Sequence, residues 1–298
     1  MSLDSIRKPI NSCLVEPETA TRSIPLKLSL SVRIAEAACK TKLNVDLSEI
    51  LRLAVENGYE AICMRASAAG VQTPQRELRK IRHELEEAGL AVSMVTADCD
   101  VPLNNDDGPN SLRDIGPSLD VASALGCDLI RVCLKQASDI PFAREAAAKA
   151  ADRGIRLAHQ CHTTTLFEQI DRSLEVLHEI DRHNFGLIYE PANLMLCGEP
   201  YDVTALQQLH PYLMNAYVQN HRLDPEGPEE LETWCRGPVR FHHLPLWEEG
   251  GVDFRDAVDG LKTVGYDGYL TVHQHYAHIM GPDEAAICSG KYLRSLIS

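Results

Sequence analysis

A (βα)8 barrel in a single domain is the architecture this chain predicts, and three features carry the expectation. The first is a recurring unit: an amphipathic stretch, a glycine, then a short apolar run ending on a polar residue. The second is that eight such strands can be counted. The third is the near-uniform spacing of the units without a G-x-G-x-x-G fingerprint, which speaks against the competing open doubly wound sheet. At 298 residues the chain is long for one ordinary domain, yet α/β barrels fill ~200 to 250 residues as one unit and tolerate elaborated loops.

Leu28-Ser29-Leu30-Ser31-Val32 reads as the first strand. Asn57-Gly58 leads into Ala61–Arg65, Ala88-Gly89 into Ala91–Thr96, Leu125-Gly126 into Leu129–Cys133, and Arg153-Gly154 into Ile155–Ala158. Phe185–Glu190, Leu213–Val218 and Tyr269–Val272 after Val264-Gly265 complete the set. A glycine after a helix supplies the left-handed residue that stops it, and the apolar run that follows has the character of a parallel strand buried on both faces. The intervening helices have apolar faces, with Leu47, Ile50, Leu51 and Ala54 on the first and Leu166, Ile170, Leu174 and Leu177 on the fifth. Thr73 before Pro74 reads as an N-cap with proline at N1. Residues 1–26 show no periodicity and form an N-terminal arm; 27–298 are the barrel, with a long loop after the seventh strand at about 221–253.

A hydrophobic content of 44% and a charged content of 24% exclude disordered and fibrous classes. The net charge of −14 repels polyanions, so nucleic acid is not an expected partner. No run approaches the ~18 apolar residues of a membrane span, and the N-terminus is too polar for a secretory leader, which together give a cytoplasmic expectation. Ten cysteines without a C-x-x-C pair read as reduced, mostly buried thiols.

In a barrel, functional side chains sit at the C-terminal ends of the strands. Strand alternation selects those that point into the lumen. With Ile130, Val132 and Leu134 facing the helices, Arg131, Cys133 and Lys135 turn inward. Leu157 and His159 outward put Gln160 and His162 inside; Leu187 and Tyr189 outward put Glu190 inside. Met214, Ala216 and Val218 outward leave Gln219 and His221 inside, and Leu270 and Val272 outward bring in Thr271, His273 and His275. Gln160, Glu190 and Gln219 are 30 and 29 residues apart, one unit each, and so form a ring at one height. The bland alternative is that these residues hydrogen-bond one another as ordinary barrel polar groups. His159, His83, His178 and His183 read as core histidines.

Three segments, Gly154–His162, Gly186–Leu194 and Gly265–His273, resemble in this order the sugar phosphate isomerase/epimerase family, the xylose-isomerase-like TIM barrels. The resemblance runs from about Leu28 to Leu296. It implies a divalent metal held by Glu, Asp, His and Glu at the ends of strands five to eight, and those places hold Gln160, Glu190, Gln219 and His273. Each replacement keeps a donor atom. Glu190 alone would leave the ion's first shell at a net positive charge, and the His273 nitrogen suits Mn, Fe, Co or Zn better than Mg. Ketose epimerases of the family shuttle protons with two glutamates at strands five and eight, and both are absent here. His162, which matches a histidine common in the fifth-strand motif, and His221 and His275 then become the acid/base candidates.

Lys135 is a candidate for a carboxylate, phosphate or enolate, and Asn193 of the second motif joins it among substrate-binding residues. The 221–253 loop carries both tryptophans, Trp234 and Trp247, with Arg236, Arg240, His242 and His243, and reads as a lid over a sugar-like or anionic substrate or as an oligomer contact. The functional expectation is a metal-assisted isomerase or epimerase, or a related lyase or dehydratase, acting on a small polyhydroxylated carbonyl compound. The alternative is an accessory barrel that binds a sugar-like ligand without metal or turnover. An endonuclease of the same fold would need a multi-metal acidic site and a basic groove, which the charge and the single rim carboxylate oppose.

Overall fold

The computed structural model describes residues 26–276 and 279–298. The expected arm lies outside them, apart from Leu26, which is buried against the core. Eight parallel strands form a closed barrel: β1 Lys27–Ser31, β2 Ala61–Arg65, β3 Ala91–Thr96, β4 Leu129–Val132, β5 Arg156–Gln160, β6 Phe185–Tyr189, β7 Leu213–Val218 and, last in the chain, β11 Tyr269–Val272, which pairs with both β1 and β7. Three strands between β7 and β11, namely β8 Asn220–Leu223, β9 Glu229–Thr233 and β10 Gly237–Leu244, build a separate antiparallel sheet in the order β8-β10-β9. The expected long loop is therefore largely this sheet. Its backbone groups pair with each other, which is how so long a segment avoids being an irregular loop.

Two apolar layers account for the alternation. Ile62, Met64, Val95, Ile130, Val132, Leu157, Leu187, Tyr189, Leu270 and Val272 pack against the helices. Cys63, Met94, Leu129, Ala158, Ile188 and Tyr217 fill the lumen. Met214 packs on this inner layer and does not face the helices as alternation predicts, because the β6–β7 register shifts between Leu187 and Ile188.

Left-handed glycines follow the helices at Gly58, Gly89, Gly126, Gly154 and Gly265, as expected. Gly186 is different. It sits inside β6, where a Cβ would lie 2.3 Å from the Tyr212 carbonyl oxygen and 2.9 Å from Met214 side-chain atoms, and Asp181 supplies the left-handed residue instead. Thr73 does not cap the helix Gln75–Glu87: Pro74 holds the cap position, and Thr73 Oγ1 accepts from the Gly70 N–H at 3.0 Å. His159 is buried on the outer face and stacks on Phe167 at 4.2 Å. His83, His178 and His183 are exposed, not core residues, and His183 lies in a turn. Of the described cysteines, Cys63, Cys127, Cys133, Cys161 and Cys197 are buried and none is paired.

Gly186→Ala should destabilise the barrel by about 1 to 3 kcal/mol through overpacking against the β7 backbone, read as a lowered midpoint in urea unfolding.

Candidate functional site

A cavity of about 470 Å³ opens where the barrel strands end, bounded by Arg33, Lys40, Arg131, His162, His221 and His275 among others. A second cavity of about 510 Å³ lies at the opposite end among Lys27, Arg82, Asp128, Arg156 and Tyr269, where a barrel carries stability rather than chemistry. Leu231, Phe241 and His243 of the β8–β10 sheet close one side of the mouth.

The ring expected from the 30- and 29-residue spacing is present. Glu190 is fully buried at its centre. Its Oε2 accepts from Gln160 Nε2 and, at 2.9 Å, from Asn193 Nδ2; its Oε1 accepts from Gln219 Nε2. Asn193 Nδ2 also donates to the Cys161 carbonyl at 2.9 Å, which fixes the amide between two strands' ends. Burial pushes the Glu190 carboxyl up to about 8, against the opposing pull of Arg131, Arg33 and the Gln219 amide.

His273, the fourth residue of the expected metal set, stacks on Tyr217 with ring centres 3.7 Å apart. Its Nδ1 lies 3.2 Å from Ser31 Oγ and its Nε2 lies 3.4 Å from Arg65 Nη1. A guanidinium only donates, so Nε2 is the acceptor and its lone pair is turned toward Arg65. Burial drives the His273 imidazole well below its ordinary value, with Arg33, Arg65 and Arg131 adding to the effect.

Residues that sequence reasoning left out of the site dominate its electrostatics. Arg65, at the end of β2 and fully buried, donates through Nε to Glu36 at 2.7 Å, and Ser67 Oγ donates to the same Glu36 oxygen at 2.5 Å. Arg33 stands in the 3-10 turn after β1, Lys40 follows it, and Arg131 projects inward from β4. Burial and then Arg33 push the half-buried Lys40 amine down to about 7. The polar ends of the β2 and β4 runs were visible signals for Arg65 and Arg131; nothing periodic marks Arg33, Glu36 or Lys40.

The three expected acid/base histidines all reach the mouth. His162 Nδ1 lies 2.9 Å from the Thr163 carbonyl, and burial pushes the ring down to about 3. His221 pairs with His243, Nδ1 to Nδ1 at 3.1 Å, and burial holds His221 well below its usual value. His275 donates from Nε2 to the Glu36 carbonyl at 3.0 Å.

Of the expected substrate-binding set, one residue lies in the cavity wall and five lie elsewhere. Asn193 lines the cavity; Lys135, Trp234, Arg236, Arg240 and Trp247 do not. Lys135 Nζ is drawn away to the Asn104 carbonyl at 2.8 Å and to Asp106 at 3.5 Å. Trp234 is 54% exposed, and Trp247 packs on the helix-side core. Arg236 donates to the Leu196 carbonyl at 3.3 Å, and Arg240 pairs with Glu230 at 2.8 Å. Among the described residues, Glu168, Cys197 and Cys235 bring three potential donor atoms within 4.8 Å of one another, away from the mouth. Both Glu168 oxygens accept from the Trp234 N–H, at 2.8 and 3.0 Å, and one also from the Cys235 N–H at 3.0 Å; this ties the β9–β10 turn to the segment after β5.

No curated protein matches the chain significantly. Solved structures do. The probable 3-DHS dehydratase AsbF from Bacillus anthracis is 18% identical with a TM-score of 0.68, over 90% of this chain and 99% of its own. The D-allulose 3-epimerase from Methylomonas sp., solved with D-allulose, is 15% identical with a TM-score of 0.64, over 91% and 97%. The IOLI protein, solved with a zinc atom, is 14% identical with a TM-score of 0.65, over 92% and 98%. At these identities they establish a shared fold. The family model for the xylose isomerase-like TIM barrel matches residues 51–296, and the chain belongs to that family.

Proposed function

We propose that the chain is an enzyme that moves a proton next to the carbonyl of a small polyhydroxylated compound, as an isomerase or epimerase or in the first step of a lyase or dehydratase. The observation that carries this reading is the place of Lys40: an amine lining the mouth of a barrel at the end where barrel chemistry occurs, its Nζ 3.5 Å from the Pro102 carbonyl, where burial and the neighbouring arginines push it down to about 7. Its neutral form can take the proton from carbon, and its ammonium can return it. The enediolate formed between the two steps carries negative charge on oxygen, and Arg33 and Arg131 in the same wall stabilise that charge in a poorly hydrated setting. Burial lowers the His162 and His221 imidazoles and so favours their neutral forms, which can hydrogen-bond the substrate's hydroxyl groups. The dehydratase and the epimerase among the structural relatives are consistent with this chemistry.

The four residues that the family resemblance implies as metal ligands do not fit a divalent cation. Both oxygens of Glu190 accept from three amides, the His273 lone pair faces Arg65, and three arginines, Arg33, Arg65 and Arg131, surround the ring. The closure of Glu190 also favours a second reading, a barrel that binds a sugar-like ligand without turnover.

Incubation with a panel of aldoses, ketoses and sugar acids in heavy water decides between the two. Deuterium wash-in at the carbon next to the carbonyl, seen by NMR and reduced roughly 100-fold or more in Lys40→Met, is the expected result; no wash-in from any compound leaves the binding barrel. With Lys40 as base, the rate should rise with pH and level off above about 7. Elemental analysis of protein purified without chelator should find no stoichiometric Mn, Fe, Co or Zn. One such ion per chain, released by chelator with loss of wash-in, would return the metal to the reaction.

Glu190 has its own signature in stability. Its carboxyl is raised to about 8 in the folded state, so the native protein holds a proton that the unfolded chain releases near 4.5. This stabilises the fold fully below about 4.5 and is lost as pH rises through about 8. Glu190→Gln does not titrate. The stability difference between variant and wild type should shift toward the variant from pH 4.5 to 8 and then stay flat, as measured by urea unfolding across that range.

A further inference from the structure

Arg33 and Arg131 line the mouth and Arg65 is buried beside Glu36, and each has a guanidinium donor unused. Arg33 Nε, Arg65 Nη2 and Arg131 Nε are buried and have no hydrogen-bond partner among the described residues. Arg131 is only 6% exposed and Arg33 is half-buried, and both line the cavity. Arginine does not discharge by losing its proton at physiological pH, so a buried N–H without an acceptor remains a standing cost to the fold. The nearby carboxylates do not relieve it. Glu190 is held by three amides, and Glu36 Oε1 is committed to Arg65 and Ser67. Glu36 Oε2 itself lacks a hydrogen bond, so neither Arg33 nor Arg131 is placed to reach it.

No described residue supplies an acceptor to either Nε, and both side chains line the cavity, so an anion seated in the cavity would supply one. We propose that the mouth binds a compound with a permanent oxyanion, a carboxylate or a phosphate, seated on Arg131 and Arg33, so that the substrate is a small polyhydroxylated acid and not a neutral sugar. This rests on the mouth being the small-molecule site of the reaction proposed above. Glu229, Glu230 and Glu232 of β9 line the more exposed side of the cavity, and Glu230 is already paired with Arg240. An acidic rim over a cationic floor gives the site a direction: the ligand's anionic end is drawn inward and its neutral hydroxyl-bearing end lies toward β9. The same rim and the overall charge of −14 exclude extended polyanions.

Calorimetric titration at fixed ionic strength with D-gluconate, inorganic phosphate and D-glucitol tests the proposal on the intact protein. Gluconate or phosphate should bind saturably, with glucitol at least ~10-fold weaker. Arg33→Gln and Arg131→Gln should each weaken the anion by roughly 10- to 100-fold, and Arg255→Gln, on an exposed helix face, should leave it unchanged. Arg33 is the variant whose folding is least at stake, and thermal unfolding checks both. Gluconate bound in preference to phosphate assigns a carboxylate; the reverse assigns a phosphate. The proposal is overturned if neither anion binds, if glucitol binds as tightly as gluconate, or if folded Arg33→Gln keeps full anion affinity. Binding is read without turnover, so anion binding without deuterium wash-in overturns the enzyme reading alone. Wash-in from neutral sugars without anion binding overturns only the inference drawn here.

Discussion

The apolar plug of the lumen is the constraint on which the chemistry of this barrel depends. Cys63, Met94, Leu129, Ala158, Ile188 and Tyr217 fill the space beneath the polar ring and leave no room for a column of water. Charged groups one layer above them are consequently poorly hydrated, and desolvation is the largest influence on Glu190, Lys40, His162, His221, His273 and Arg131 alike. It moves a carboxyl up and an amine down until both titrate near neutrality, although neither would in water. The perturbation is a property of the layering and not of any single partner.

What the sequence made legible follows from periodicity. Strand alternation is rigid, so one outward residue orients its neighbours, and Gln160, Glu190, His273 and Arg131 were placed correctly from Leu157, Leu187, Val272 and Val132. The repeat length of the βα unit put three ring residues at one height. Alternation failed at Met214, where a register shift between β6 and β7 adds a residue that no local pattern announces. Arg33, Glu36 and Lys40 belong to a short 3-10 turn and an irregular stretch after β1, which have no period from which direction could be inferred. Lys135 shows a different limit. The alternation turned it inward, but its long stem lets the ammonium reach the Asn104 carbonyl instead.

The β8–β10 sheet illustrates how composition misleads where topology decides. The tryptophans and arginines of this segment suggested a lid, yet the side chains the sheet presents to the mouth are Leu231, Phe241, His221, His243 and the β9 glutamates, while Trp234 faces solvent and Arg240 pairs along its own sheet. The sheet's attachment is specific. Asn220 donates to the Pro245 and Glu248 carbonyls and accepts from the Val252 N–H; Gln274, just beyond β11, accepts from the Asn220 N–H and donates to the Leu244 carbonyl. Gly251 is required there, since a Cβ would lie 2.1 Å from Asn220 Oδ1. Two buried amides thus clamp the base of the sheet to the barrel rim.

Charge explains why the ring can be built from amides. A carboxylate ring at this depth needs a compensating cation, because several buried like charges cannot remain ionised together. Glutamine at 160 and 219 removes that need: each amide donates to Glu190 without adding charge. Arg33, Arg65 and Arg131 also surround the ring and lower the His273 imidazole together. These cations are covalently part of the fold, and Arg65 is locked to Glu36. They cannot leave or exchange, so the field they set up is fixed, and a fixed field acts most strongly on ligands whose charge is permanent.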